Sequence, residues 1–173
     1  DITDSAVALQ IKDSIDLQRD TTSGLILTMC DIAERERDTI MLGRTHGQAA
    51  VPITFGLKVA VWVDEFRRHL DRLDEMASRC TTGKFLGAVG TGAAQGERAL
   101  ELQDLVMGEL GLETPVATTQ VVGRDRYIEW VGWMANVATS VEKVLQEVRN
   151  LQRTEIAEVS EAFDSEKQVG SST

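Results

Sequence analysis

Residues 125–163 read DRYIEWVGWMANVATSVEKVLQEVRNLQRTEIAEVSEAF, without proline and with a single glycine, Gly132. Apolar residues recur along this segment at helical spacing, which predicts one helix over residues 125–163. At 1.5 Å per residue such a helix is about 60 Å long, more than the diameter of a compact domain of this size. We therefore expect its wide apolar surface to pack against partners outside its own chain.

Three further segments have helical periodicity. They are residues 2–37, 54–80 and 97–109. We expect a loop over residues 38–53, a glycine-rich loop or tightly packed backbone over residues 82–96, and an extended connector over residues 114–123. No segment gives a convincing strand signal. The sequence therefore predicts an all-α, long-helix bundle.

The helix over residues 54–80 carries a charged face that we interpret as solvated. Its members are Asp64, Glu65, Arg67, Arg68, Asp71, Arg72, Asp74 and Glu75. His69 falls among these charges. We predict that its side chain is exposed and has no chemical role.

Composition limits the classes of partner. Lys+Arg 18 against Asp+Glu 28 give a net charge of -10, which repels nucleic acid and acidic lipid, so we expect neither as a partner. No apolar run approaches the ~18 residues of a membrane span, and we expect a soluble protein. Cys30 and Cys80 form no CxxC pair, which favours free thiols in the cytoplasm. No residues have metal-ligand spacing, and no metal or cofactor is expected.

Three polar loops contain the candidate chemical groups. The first is Gly43-Arg44-Thr45-His46-Gly47-Gln48, where glycines permit close approach of backbone to a ligand and Arg44 and Thr45 suit carboxylate or phosphate oxygens. His46 is the candidate proton carrier. On this motif alone, an ordinary surface histidine is the commoner explanation.

The second loop, TTQVVGRDR at residues 118–126, places hydroxyls, an amide and two arginines before a predicted helix, where free backbone N–H groups also favour an anion. A helix cap with exposed arginines explains it equally well. The third loop, QVGSST at residues 168–173, is by composition alone indistinguishable from a flexible terminus.

Taken together, these motifs resemble the fumarase/aspartase superfamily, and most closely its adenylosuccinate lyase branch. The matching segments are, in order, GRTHG at 43–47, PITFG at 52–56, GAVGT at 87–91, TQVVGRDR at 119–126, RNLQRTE at 149–155 and the signature start GSST at 170–173. The resemblance extends over essentially the whole chain. It implies that residues 1–173 are the central helical domain, without the family's N-terminal and C-terminal domains.

The resemblance also implies a function. The expected reaction is a β-elimination that cleaves a C–N bond and releases fumarate from adenylosuccinate and from the succinyl-carboxamide intermediate of purine synthesis. Ser171 would remove the proton next to a carboxylate, and His46 would protonate the departing nitrogen. The residues implied in substrate binding are Arg44, Thr45, Thr91, Thr119, Gln120, Arg124 and Ser172. The family assembles as homotetramers with sites shared between subunits, and needs no cofactor.

Some positions depart from the family pattern. Ala49 and Ala50 stand where a further histidine is common, and Gly123 and Tyr127 replace residues of a Gln-Arg-Asp-Arg-His run. Two alternatives therefore remain open. One is a sister enzyme of the argininosuccinate lyase or carboxymuconate cycloisomerase type. The other is an inactive oligomerisation module.

Overall fold

The computed structural model describes residues 1–162, so the predicted helix end at Phe163 and the predicted site residues Ser171 and Ser172 lie outside the described residues. The described elements are α1 (Ile2–Arg35), β1 (Ile40–Thr45), β2 (Gln48–Thr54), α2 (Phe55–Cys80), α3 (Ala99–Leu110) and α4 (Asp125–Leu151). The fold is mainly helical, which confirms the predicted class.

Helices α1, α2 and α4 form an antiparallel frame. α1 and α2 meet at one end where Gly56 N–H donates to the Glu36 carbonyl, 2.9 Å away. α2 and α4 also run in opposite directions, because Arg79 pairs with Glu129 near one end and Lys58 pairs with Glu147 near the other. The ends of the frame therefore carry different loops: the connections around α3 lie at the start of α1, and the β1–β2 connection lies at its end.

Buried apolar side chains fill the frame in successive clusters. The central cluster contains Ile11, Ile15, Leu73, Met76, Cys80, Trp130 and Trp133. The two tryptophan rings stack with centroids 5.5 Å apart. A second cluster, Met29, Val59 and Phe66, lies nearer the end of α1, and a third, Ala8, Met107 and Leu112, attaches α3 to the start of α1. Burial of these side chains is the main force holding the helices together.

The predicted loop over residues 38–53 is wrong, because most of it forms an antiparallel hairpin of β1 and β2. Met41 and Gly43 on β1 are buried, and a Cβ atom at Gly43 would collide with the Val51 carbonyl oxygen. The two strands are joined by a two-residue turn, His46-Gly47. Both turn residues have positive φ, 53° and 72°, as a type I′ hairpin turn requires.

The predicted helix over residues 125–163 is also wrong in its end point. α4 stops at Leu151, which makes it 27 residues, or about 40 Å. The chain then reverses: Ala157 adopts a positive φ of 51°, and Glu158 N–H donates to the Leu151 carbonyl at 3.0 Å. The Glu158 carboxylate meanwhile binds Arg44 on the hairpin. This tertiary contact favours the reversal over a further helical turn.

The prediction that His69 is exposed is wrong, since its side chain is only 2% exposed. His69 is three residues after Phe66 and four before Leu73, so it lies on the buried face of α2. Its Nε2 is 2.8 Å from Ser140 Oγ on α4, and Ser140 donates to Glu65 Oε1 at 2.7 Å. Since that serine proton goes to Glu65, Nε2 of His69 is the donor to Ser140.

This arrangement predicts that His69 makes the fold sensitive to acid. Burial first, and then nearby Arg72, lowers the pKa of His69, and its Nδ1 has no hydrogen-bond partner among residues 1–162. The unfolded chain therefore takes up a proton at about pH 6.5, before the folded chain does. Stability should be fully present above that pH and should fall as the pH drops below it.

Denaturant unfolding at pH 7.5 and pH 5.5 measures this effect. In His69→Asn the loss of unfolding free energy between the two pH values should be smaller than in the parent protein. His46→Asn, which changes the exposed histidine, should keep the parent's full loss because His69 is intact. An equal pH dependence in His69→Asn and the parent would contradict the assignment.

Candidate functional site

The structure divides the predicted site residues between the two ends of the helical frame. Arg44, Thr45 and His46 belong to the hairpin that follows α1. The segment 118–124 instead contacts the first turn of α1, through hydrogen bonds to Asp4. α1 has 34 residues and is about 50 Å long, so one chain does not bring His46 and the 118–124 segment together.

At the hairpin end, His46 occupies the tip of the turn and is exposed. A positive φ costs a residue with a side chain roughly 1–2 kcal/mol relative to glycine. The tight strand pairing of Thr45 with Gln48 holds His46 in that conformation. The imidazole is thereby presented to solvent on a rigid support, which suits a group that exchanges protons with a ligand.

Arg44 lies beside this turn, and its guanidinium forms hydrogen bonds with other groups of the same chain. Its Nη1 is 2.6 Å from Glu158 Oε2 and 3.3 Å from the Leu42 carbonyl oxygen. The hydrogen bond from Arg44 lowers the pKa of Glu158, so the carboxylate is ionised at neutral pH. A substrate anion at Arg44 would compete with Glu158, and the binding role of Arg44 stays a prediction.

At the opposite end, Asp4 holds the 118–124 segment. Its buried carboxylate accepts from Val122 N–H at 2.7 Å and from Arg124 Nη1 at 3.0 Å. Arg124 also lies over the Tyr127 ring, 5.0 Å from the centroid. The hydrogen bond to the Asp4 carboxylate raises the pKa of the Arg124 guanidinium. Because the Arg124 side chain is still 49% exposed, its outer face is free to meet an anion.

A second loop packs directly on this segment. Gly90 has φ 79°, and a Cβ atom there would collide with the Thr118 carbonyl oxygen. Thr91 directly follows Gly90, Thr119 and Gln120 directly follow Thr118, and all three are exposed. The structure therefore groups Thr91, Thr119, Gln120 and Arg124 at one end of the frame, as a cluster of hydroxyl, amide and guanidinium groups suited to an oxygen-rich anion.

Sequence reasoning missed the residues that hold this cluster: Asp1, Asp4 and Lys84. Signals for them existed. Asp1 and Asp4 are three residues apart at the start of a predicted helix, which places them on one face. Lys84 is the single charged residue of the glycine-rich segment 82–96, where an unpaired cation is unexpected.

Within residues 1–162, no group of His, Cys, Asp or Glu side chains could hold a metal ion. None of the helices in this part of the chain has the combination of length and hydropathy that a membrane span needs. Ser171 and Ser172 lie outside the described residues, so their predicted roles are untested.

A family model described as Lyase matches residues 1–173. The chain belongs to the lyase family. Adenylosuccinate lyase of Methanothermobacter thermautotrophicus is 47% identical over 173 residues, which are 100% of this chain and 38% of that relative. N-acetyl-S-(2-succino)cysteine lyase of Dickeya dadantii is 40% identical over the same span, again 38% of the relative. The chain therefore spans less than half of the curated lyases that it matches.

A solved structure agrees with the fold. The crystal structure of fumarate lyase from Mesorhizobium sp. BNC1 has a TM-score of 0.85 and 38% identity, and the match covers 90% of this chain and 36% of that one. Membership of the fumarase/aspartase superfamily and the helical fold class are thus both confirmed.

The contact between the loop over residues 87–91 and the 118–124 segment can be tested by a pair of alanine substitutions. Gly90 and Gly96 both have positive φ, 79° and 80°, so Ala at either position has a similar backbone cost of roughly 1–2 kcal/mol. Only at Gly90 would the new Cβ also collide with Thr118, whereas nothing lies within 4 Å of a Cβ at Gly96. Gly90→Ala should therefore lower the free energy of unfolding by at least about 1 kcal/mol more than Gly96→Ala. Equal losses in chemical denaturation would show that the two loops do not pack as described.

Proposed function

We propose that the protein containing this chain cleaves adenylosuccinate to AMP and fumarate, and acts likewise on the succinyl-carboxamide intermediate of purine synthesis. The observation that carries this proposal is the 47% identity, over all 173 residues, with an adenylosuccinate lyase. The site geometry supports it, because exposed oxygen-binding groups and an exposed imidazole are the groups that elimination from a succinyl anion needs.

In the proposed reaction, residues on different loops have different chemical roles. Ser171, as its alkoxide, takes a proton from the carbon beside a carboxylate, and the electron pair left behind forms the new C=C bond. The C–N bond breaks as this double bond forms, and the nitrogen receives a proton from the imidazolium of His46. Arg124, Gln120 and their neighbouring hydroxyls stabilise the negative charge that builds on the carboxylate oxygens.

Fumarate release tests the substrate, with adenylosuccinate, argininosuccinate and N-acetyl-S-(2-succino)cysteine compared under identical conditions. The third substrate is included because the Dickeya dadantii relative is a lyase for it, which makes C–S cleavage the second candidate. We expect the highest kcat/KM on adenylosuccinate. A higher value on the thioether or on argininosuccinate, or no fumarate from any of them, would contradict the proposal.

The role of His46 predicts the effect of His46→Asn. Asparagine tolerates a positive φ and so preserves the turn, but it cannot carry the proton. We expect kcat to fall about 10²–10⁴-fold with assembly intact, and a similar fall for Ser171→Ala. Val51→Ala, which changes an exposed apolar side chain of the same hairpin, is the matched control and should keep kcat. A His46→Asn protein with the parent's kcat would remove His46 from the mechanism. His69→Ala is unsuitable as a control, because His69 is buried.

We also propose that the protein is a homotetramer in which α4 packs at the centre. One face of α4 is apolar and exposed: Ile128 is 72%, Val131 56% and Leu145 57% exposed. Such a face is stabilised by helices of other copies, crossing at roughly 20° as in bundles. The assembly would also bring the hairpin of one copy to the anion-binding end of another. We also propose a cytoplasmic location, since Cys30 and Cys80 of this chain are both free thiols.

A charge on this face should disrupt assembly. Leu145→Glu would bury a carboxylate at the proposed interface, and we expect dimers or monomers by light scattering at micromolar concentration. Asn136→Glu is the control, since Asn136 is exposed and nine residues earlier, on the opposite side of the helix. It should remain tetrameric. A monomeric parent protein, or a tetrameric Leu145→Glu variant, would contradict the proposal.

A further inference from the structure

A buried lysine lies behind the anion-binding end of the frame. The Lys84 side chain is 1% exposed, and its Nζ is 2.6 Å from Asp1 Oδ1 and 2.9 Å from the Gly87 carbonyl oxygen. Because the Lys84 side chain has almost no exposed surface, its ammonium does not contact a ligand bound at the exposed groups of this end. The ammonium of Lys84 therefore interacts with groups of its own chain, the Asp1 carboxylate and the Gly87 carbonyl.

The same carboxylate completes a closed set of hydrogen bonds. Gly87 N–H donates to both oxygens of Asp1, at 2.9 and 3.1 Å. Lys84 thus binds the carbonyl of Gly87 while Asp1 binds its amide. The backbone of Lys84 is itself fixed by Ser5, whose Oγ accepts from Lys84 N–H at 3.1 Å and donates to the Lys84 carbonyl at 3.0 Å.

These contacts determine where the loop over residues 87–91 leaves the helical frame. Gly87 has a positive φ of 75°, and three residues later Gly90 packs on the Thr118 carbonyl. A shift at Gly87 is therefore passed to Thr91 and, through Gly90, to Thr119 and Gln120. Asp4 fixes one side of the 118–124 segment through its own hydrogen bonds. The other side of the segment packs on Gly90, and the position of Gly90 depends on Lys84.

We propose that Lys84 is a positioning residue: paired with Asp1, it sets the location of the 87–91 loop, and thereby of the substrate-binding groups at Thr91, Thr119 and Gln120. The inference rests on the proposed function for its kinetic consequence. Lys84 transfers no proton in this scheme. It lowers the cost of holding two loops in the substrate-binding geometry.

The kinetic test is Lys84→Met in the full-length protein, with Lys12→Met as the matched control. Lys12 also donates to a backbone carbonyl, that of Gly111 at 2.9 Å, but on a turn away from the two loops. For Lys84→Met we expect kcat/KM for adenylosuccinate to fall about tenfold or more, through a higher KM and a lower kcat, with the pH profile unchanged. Lys12→Met should keep the parent KM.

Two kinetic results would overturn the proposal. One is a folded Lys84→Met enzyme with the parent KM, which would make Lys84 purely structural. The other is a fall in kcat with an altered pH profile, which would make Lys84 a proton carrier. If Lys84→Met does not fold, Ser5→Ala releases the backbone of the same residue more gently, and it must raise KM for the proposal to stand.

Amide hydrogen exchange separates this inference from the proposed function. The Gly87 amide should exchange about tenfold faster or more in Lys84→Met, and the Leu112 amide should not. This result does not depend on turnover. A parent protein that releases no fumarate refutes the proposed function alone, whereas unchanged exchange at Gly87 refutes the positioning role.

Discussion

Two carboxylates at the start of α1, that of the N-cap residue Asp1 and that of Asp4 in the first turn, hold the loops of the anion-binding end. Asp1 receives the Gly87 amide and Lys84, and Asp4 receives the Val122 amide and Arg124. Charge-assisted hydrogen bonds of this kind are roughly twice as strong as neutral ones. Loops without regular structure are thereby fixed to the most rigid element of the fold. The two loops that carry the candidate binding groups at this end are thus both attached to the start of α1.

Local signals in the sequence were sufficient for most of the frame. α1 and α2 are present as predicted, and Thr54 caps α2 by accepting from Leu57 N–H at 3.1 Å. Gly111 ends α3 in the left-handed conformation, a role that glycine commonly has just after a helix. These features depend on periodicity and capping within a few residues, and such information is present in the sequence itself.

The features that could not be predicted depend on contacts between distant residues. The end of α4 is set by the pairing of Glu158 with Arg44, 114 residues apart in sequence. The hairpin was missed because only the His46-Gly47 turn signals it locally, and histidine is unusual at that position. From the sequence alone, Lys84 would be interpreted as an exposed cation, because its partner Asp1 is 83 residues away in the chain. The family resemblance identified the candidate binding residues, but it did not identify the residues that hold their loops in place, Asp1, Asp4 and Lys84.

The central claim is that His46 and Gln120, at opposite ends of α1 in one chain, serve one site made by several copies. The direct measurement mixes His46→Asn and Gln120→Ala proteins, each expected to have little activity, after dissociation and joint reassembly. If each site takes His46 and Gln120 from different subunits, random reassembly should restore about a quarter of the parent activity. Activity no greater than the mean of the two variants would contradict the claim.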